Sequence, residues 1–363
     1  MPIFATAVIH FCNRLQCSHT AFSVLRQDRY GLADVTGRVF GVDLQQIKLH
    51  RFLVLGRAGL DLYADPPGTR TEEAERFSAA LGGSAANIAA GIVKLGGAAS
   101  LVSVVSDDAV GRFTLHELKR YGIGTEHIRA VGGEARTSLA VVETRNQDCQ
   151  SVIYRNGAAD FELAGSDIAD IAYGDFGALI VTGTCLAVEP SRAATFLAMA
   201  LARKASLPVI LDVDYRPYSW VSAEIAATTC ARAAAASDIV IGNEVEFAVM
   251  AGGGDGLALA RGLAASSAGI VVYKMGEKGS ITLHGKQSFA AGIFPVTALK
   301  PTGAGDAFMA GFVMGLAGGL DLQTCVRRGS AAAAITVTRT GCAPAMPVTA
   351  ELDSFILSHP GPA

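Results

Sequence analysis

Aromatic side chains are scarce in this 363-residue chain: they make up 7% of it, with a single tryptophan. A broad aromatic binding face is therefore excluded. Charge is sparse too, at 17%, and the two signs nearly cancel to a formal −3. That balance excludes a basic nucleic-acid surface, so an anionic ligand must be met by a few local Arg, Lys or backbone N–H groups. No run of about 18 uncharged apolar residues exists, which excludes a membrane-spanning helix. Ala307–Leu320 comes nearest, but it is short and Gly-rich and reads as a buried helix. Cys12, Cys17, Cys149, Cys185, Cys230, Cys325 and Cys342 form no C-x-x-C pair. Their odd number and scatter exclude a disulfide framework and read as the reduced thiols of a cytoplasmic protein. No acidic residue precedes Asp28, in a segment that carries His10, His19 and His50. A targeting segment has that look, yet strand-and-helix alternation starts only at Phe52. Residues 1–50 therefore read as a poorly ordered N-terminal extension or an over-long start.

Apolar residues and glycine are abundant, at 50% and 41 residues. A substantial core with helices packed close on a sheet follows. Strands are expected at Phe52–Leu55, Ser100–Val105, Ala178–Val181, Pro208–Val213, Asp238–Ile241 and Ile270–Lys274. Helical patterns lie between them at Ser84–Leu95, Gly111–Tyr121, Arg192–Lys204 and Leu257–Ala265. This order predicts right-handed βαβ units and a mostly parallel sheet covered on both faces, with ligands at the carboxyl ends of its strands. Two stretches break the alternation. Leu62–Ser78 is polar and contains proline, and Thr137–Tyr154 alternates apolar with polar residues. They predict a small accessory sheet, with surface hairpins as the plainer alternative.

The sharpest local signal is Pro301-Thr302-Gly303-Ala304-Gly305-Asp306, running into Ala307-Phe308-Met309-Ala310-Gly311. Small residues there make a tight turn with free N–H groups where a helix begins, which suits an anion such as a phosphoryl group. Asp306, in the first turn, is placed to take a proton from an attacking hydroxyl. Alone the pattern is weak, because Asp is a routine helix cap. Gly82-Gly83-Ser84-Ala85-Ala86-Asn87 opens another helix in the same style, and Asp61 follows the first strand, where it could bind hydroxyls. Asn243-Glu244-Val245-Glu246 follows a strand as well; it suits Mg²⁺ or its waters, or equally a solvated first helical turn.

Together these residues resemble the ribokinase-like (PfkB-type) carbohydrate kinases over about Arg51 to Pro347. The segments at 82–87 and 303–306 match both family signatures in order, and Arg327–Gly341 looks like the nucleotide-side helix and loop. The resemblance implies a ribokinase-like three-layer α/β/α sandwich, with a kinase domain over 51–350, a small β-sheet lid from about 62–80 and 135–158, and a C-terminal tail over 351–363. It implies Asp306 as catalytic base, with Gly303, Ala304 and Gly305 as the anion hole. Asp61, Gly82, Gly83 and Asn87 would face the sugar. Asp214, Lys274, Gly276 and Gly279 would lie along ATP, and Asn243 and Glu246 near Mg²⁺. A monovalent cation such as K⁺ and a homodimer through the lid are further family expectations; neither nucleic acid nor membrane is an expected partner.

Within the family, Tyr154-Arg155 and Asp214-Tyr215-Arg216-Pro217-Tyr218-Ser219-Trp220 point to a sugar acid, because a carboxylate needs the bidentate fork of arginine. An exposed lid charge at Arg155, or an ion pair of Arg216 with Asp212 or Asp214, is the plainer reading. Gly56-Arg57-Ala58-x-x-Asp61-Leu62, Leu299-Lys300 and Ala345-Met346-Pro347 resemble the subgroup of 5-dehydro-2-deoxygluconokinases of myo-inositol catabolism. Gly341-Cys342-Ala343-Pro344 departs from the Ser-rich loop expected there. A 2-keto-3-deoxygluconate kinase or fructokinase is the alternative, and a non-catalytic sugar-acid sensor the alternative of another class. A Rossmann dehydrogenase is excluded, because no G-x-G-x-x-G follows the first strand.

Overall fold

The computed structural model describes residues 46–359. Except for the short turn Gln46–Leu49 and the residues that follow it, the segment read as an N-terminal extension lies outside that range. Chain order begins with β1 (Arg51–Leu55), β2 (Gly59–Asp65), β3 (Arg76–Gly82), α1 (Ser84–Lys94), β4 (Ala98–Ser106), α2 (Ala109–Arg120) and β5 (Gly124–Val131). It continues through β6 (Leu139–Val142), β7 (Ser151–Tyr154), α3 (Ser166–Ala169), β8 (Ala178–Thr182), α4 (Ser191–Lys204), β9 (Val209–Asp212) and α5 (Ala223–Ala235). After β10 (Ile239–Asn243), α6 (Glu244–Met250), α7 (Gly256–Ser266), β11 (Ile270–Lys274), β12 (Ser280–His284) and β13 (Gln287–Ala291), it closes with α8 (Ala304–Ala317), α9 (Leu322–Val337) and α10 (Thr349–Ser358).

Nine strands form the main sheet in the order β13-β12-β11-β10-β9-β8-β1-β4-β5. All its pairings are parallel except the hairpin at β11-β12-β13. Alternation along β1 shows why the sheet is covered twice. Phe52 and Val54 pack into one core with Ile88, Phe312 and Val326, whereas Leu53 and Leu55 pack into a second with Met199, Phe247 and Leu263. Side chains of a strand alternate between faces, so a strand buried on both sides reads as one apolar run. Three layers result, as expected.

The small sheet has the order β3-β2-β6-β7, from the two stretches that break the alternation. Register puts Asp61, Tyr63, Ala140, Val142 and Ile153 on its inner face. Its outer face carries Leu62, Phe77, Val141, Val152 and Tyr154. Residues from 351, expected as a tail, are helical through Ser358: Leu352 is buried and the Phe355 ring tilts against that of Phe294, their centroids 5.4 Å apart. No helix among the described residues is long and apolar enough to cross a membrane.

α8 and α9 approach closely across a seam where Gly311, Gly315 and Gly329 stand. A Cβ on Gly311 would come within 2.8 Å of the Arg328 carbonyl oxygen, and one on Gly329 within 2.8 Å of that of Phe308. On Gly315 it would meet Cys325 Sγ at 3.0 Å.

Candidate active site

The Pro301–Gly305 turn leads into α8 through Gly303, whose φ of 86° lies in the left-handed region. A Cβ there would also stand 2.9 Å from Cys342 Sγ, so both conformation and space require glycine. The first N–H groups of α8 have no partner within the helix and carry its positive dipole end. Lys274 adds charge: its Nζ lies 3.4 Å from the position a Cβ on Gly305 would take. Asp306 sits in this first turn, and its Oδ2 accepts a hydrogen bond from Asn87 Nδ2 at 2.9 Å. Burial and then the nearby Asp214 push the Asp306 carboxyl up to about 7, against the pull of Asn87, Arg216 and Lys274. It keeps some accessible surface because it lines the cavity.

That cavity measures about 900 Å³ and lies between the main sheet and the inner face of the small one. On the small-sheet side, Asp61 accepts a hydrogen bond from the Tyr63 hydroxyl at 3.0 Å. Its other oxygen, Oδ1, is buried with no partner among the described residues, and so is Asn87 Oδ1. Burial raises the Asp61 pKa, opposed by Arg57, Tyr63 and Lys300. Gly82 does not line the cavity. It backs Asp61, whose carboxylate would clash with any Cβ at 82 (1.9 Å to Oδ1). Gly83, at φ 98°, lines the cavity next to Ser84 and Asn87.

Three arginines line the cavity: Arg57, Arg155 and Arg216. Arg155 is neither an exposed lid charge nor a free fork. It is buried in an ion pair with Asp160, made by Nη2 and by Nε at 3.2 Å, and Nη2 also donates to the Thr184 carbonyl at 3.2 Å. Only its Nη1 is buried without a partner. Arg216 pairs with Asp214 at 2.8 Å, the plainer of its two readings, and its side chain is half exposed. Burial pushes Asp214 up, but Arg216, Arg57 and Arg155 together hold its carboxyl below the usual range. Tyr154 is not brought into the cavity: it is 61% exposed, because its neighbours Ile153 and Arg155 point inward and alternation turns it out. Arg57 had no role in the sequence reading beyond its place in a motif. The available signal was an arginine between glycine and alanine at the carboxyl end of a central strand, where ligands collect.

At the other end lie Lys274, Gly276 and Gly279, the last two at φ 57° and 84° in the β11–β12 connection. Ser330, Ala333 and Val337 of α9 form a smooth wall there. Asn243 and Glu246 form a reciprocal helix cap. Glu246 N donates to Asn243 Oδ1 at 3.0 Å and Asn243 N to Glu246 Oε2 at 2.7 Å, while Glu246 Oε1 accepts from Tyr215 N at 3.3 Å. Every oxygen of the pair is thus engaged, and the described residues include no group of three or more His, Cys, Asp or Glu arranged to hold a metal. Each of these oxygens keeps a second lone pair, so the cap fixes the pair's position and still leaves it able to meet Mg²⁺ or its waters. Lys300 is fully buried; its Nζ donates to the Thr302 carbonyl at 2.5 Å and the Thr336 carbonyl at 3.5 Å.

Residues 49–349 match a family described as pfkB family carbohydrate kinase. The 5-dehydro-2-deoxygluconokinase of Photobacterium profundum is 40% identical over 321 residues, spanning 87% of this chain and 97% of that protein. Its namesake from Geobacillus kaustophilus is 38% identical over 315 residues, 85% and 94% of the two chains. Among solved structures, a fructokinase double mutant from Vibrio cholerae O395 with fructose, ADP and potassium ion bound superposes with a TM-score of 0.75. It is 26% identical and covers 84% of this chain and 98% of that one.

Proposed function

The chain belongs to the pfkB family of carbohydrate kinases, and from that premise we propose that it is a 5-dehydro-2-deoxygluconokinase. It would move the γ-phosphoryl group of ATP to the terminal 6-hydroxyl of 5-dehydro-2-deoxy-D-gluconate, a step of myo-inositol catabolism. One observation carries the reading. Asp306, poised near pH 7 on an anion-binding turn, shares a cavity with the partnerless buried oxygens of Asp61 and Asn87. Such oxygens are costly unless a ligand's hydroxyls meet them.

In this mechanism the sugar hydroxyls pair with Asp61 and Asn87, and the terminal hydroxyl faces Asp306. Asp306 takes its proton as the oxygen attacks the γ-phosphorus, and ADP leaves. The N–H groups of Gly303, Ala304 and Gly305, with Lys274, receive the charge on the phosphoryl oxygens. ATP lies along Lys274, Gly276 and Gly279 against the α9 wall, with Asp214 on the arginine side of the cavity. A divalent ion supplies charge neutralisation on the nucleotide. Asn243 and Glu246, fixed by their cap, would hold it through its waters. A monovalent cation, such as the potassium of the fructokinase relative, is tested by exchanging K⁺ for Na⁺ in the assay below. The assay measures ADP release from Mg-ATP with 5-dehydro-2-deoxygluconate, 2-keto-3-deoxygluconate, fructose and ribose as acceptors. The first should be preferred by at least tenfold in kcat/KM. Preference for another acceptor would overturn the substrate assignment, and silence with all four would favour a sensor.

The same reading includes a homodimer through the lid. Leu62, Phe77, Val141, Val152 and Tyr154 form an apolar outer face on the small sheet, and exposed apolar patches on a sheet mark interaction sites. Light scattering should give twice the monomer mass, reverting to monomer in Val152→Lys. A monomeric wild-type protein would remove this part.

A further inference from the structure

An anionic acceptor entering this cavity meets many carboxylates, so its own carboxylate needs a cation whose N–H groups are not already taken by one of them. The arginines differ in this respect. Arg155 has given its fork to Asp160, and Arg216 is paired with Asp214. Arg57 has no carboxylate within ion-pair distance among the described residues. Its only side-chain hydrogen bond among the described residues runs from Nη1 to Ser138 Oγ at 3.0 Å, which leaves Nε and Nη2 without a described partner. The residue is 8% exposed and lines the cavity, so its guanidinium is largely withdrawn from water and held in place. Two other cavity cations lack an ion pair: Lys300 spends its Nζ on the Thr302 and Thr336 carbonyls, and Lys274 stands against Gly305 and the Phe308 ring at the phosphoryl end. Arg57 instead neighbours the hydroxyl-binding Asp61 across the start of β2. Asp61 and Asp214 feel its charge, yet neither takes its N–H groups, and a buried guanidinium with two nitrogens free is the fork a carboxylate takes best.

We propose that Arg57, not Arg155 or Arg216, receives the carboxylate of the acceptor and makes this site one for sugar acids. The inference rests on the reading that the acceptor is a sugar acid. The buried Nη1 of Arg155 would be a second, charge-compensated donor in the same cavity. Arg216, half exposed and paired, would act on the carboxylate only at a distance.

Steady-state kinetics with 5-dehydro-2-deoxygluconate on Arg57→Met, Arg57→Lys and Arg216→Met would test this. Loss of a bidentate charged contact should raise KM for the acid about 100-fold in Arg57→Met, with a smaller change in kcat. Arg57→Lys should fall between it and the wild type, because it keeps the charge but not the fork. Arg216→Met should raise KM less than tenfold. ATP-induced thermal stabilisation in each variant shows that it is folded. A KM within threefold of wild type in Arg57→Met, or a larger rise in Arg216→Met, overturns the assignment while the sugar-acid reading stands. Wild-type protein that does not turn over the acid sinks that reading, and the role of Arg57 with it.

Discussion

Asp306→Asn is expected to lower kcat by about 10²–10⁴-fold while ATP still binds, because a positioned general base contributes that much. The amide keeps the shape and can still accept from Asn87, so the loss isolates proton transfer. The wild-type rate should rise with pH and level off above about 7, where Asp306 is ionised. Stability should run the other way. The folded protein binds the Asp306 proton more tightly than the unfolded chain does. Deprotonation between the ordinary carboxylate range and about pH 7 therefore costs stability, fully so above pH 7. A shift of about three pKa units sets an upper bound of about 4 kcal/mol, and access of cavity water reduces it to about 1–2 kcal/mol. Asp306→Asn should thus melt higher than wild type at pH 8 and lose that advantage below pH 4. Near-normal turnover, or an acidic limb centred at pH 5, would sink the base assignment.

Asp61→Ala should cut kcat/KM for the sugar about 10²–10⁴-fold and leave KM for ATP within threefold. Hydrogen bonds to a charged, desolvated group are worth about 1.5–3 kcal/mol each, and a carboxylate reaches two hydroxyls. Alanine also leaves the Tyr63 hydroxyl with only a long contact to Cys342 Sγ at 3.4 Å, so some loss of lid stability should accompany it. An unchanged KM for the sugar would move the acceptor away from this wall.

Much of the architecture was legible because buried strands are apolar runs and the helices between them are amphipathic. β5 was not: it is an edge strand carrying Glu126, His127 and Arg129, and none of its residues is fully buried. α5 was hidden by its alanines, which offer little contrast between faces; Ser222 capping Ile225 N is its clearest mark. At the site, the glycine turns, Asp61, Asn87 and Asp306 converge as their motifs implied. The errors concern who holds whom. That Asp160 occupies Arg155 depends on how the chain folds back after β7. By contrast, Asn243-x-x-Glu246 is a capping-box sequence, and its cap could have been read directly. Likewise, alternation along β7 allows either Tyr154 or Arg155 to face inward, not both.

The seam between α8 and α9 sets a dimension as well as a contact. α8 carries the turn and Asp306 at one end, and its distance from α9 is fixed by the side chains that Gly311, Gly315 and Gly329 lack. The pair works as a gauge block, with its tolerance set one to three helical turns beyond the chemistry. A single methyl at 329 must displace the Phe308 carbonyl or move the whole rod, and Phe308 is only two residues from the base. Misplacement of a reacting group by about 1 Å costs on the order of 100-fold in rate. Loss-of-function changes in this protein should therefore include small residues that touch no ligand, and they would pass for damage to the site itself.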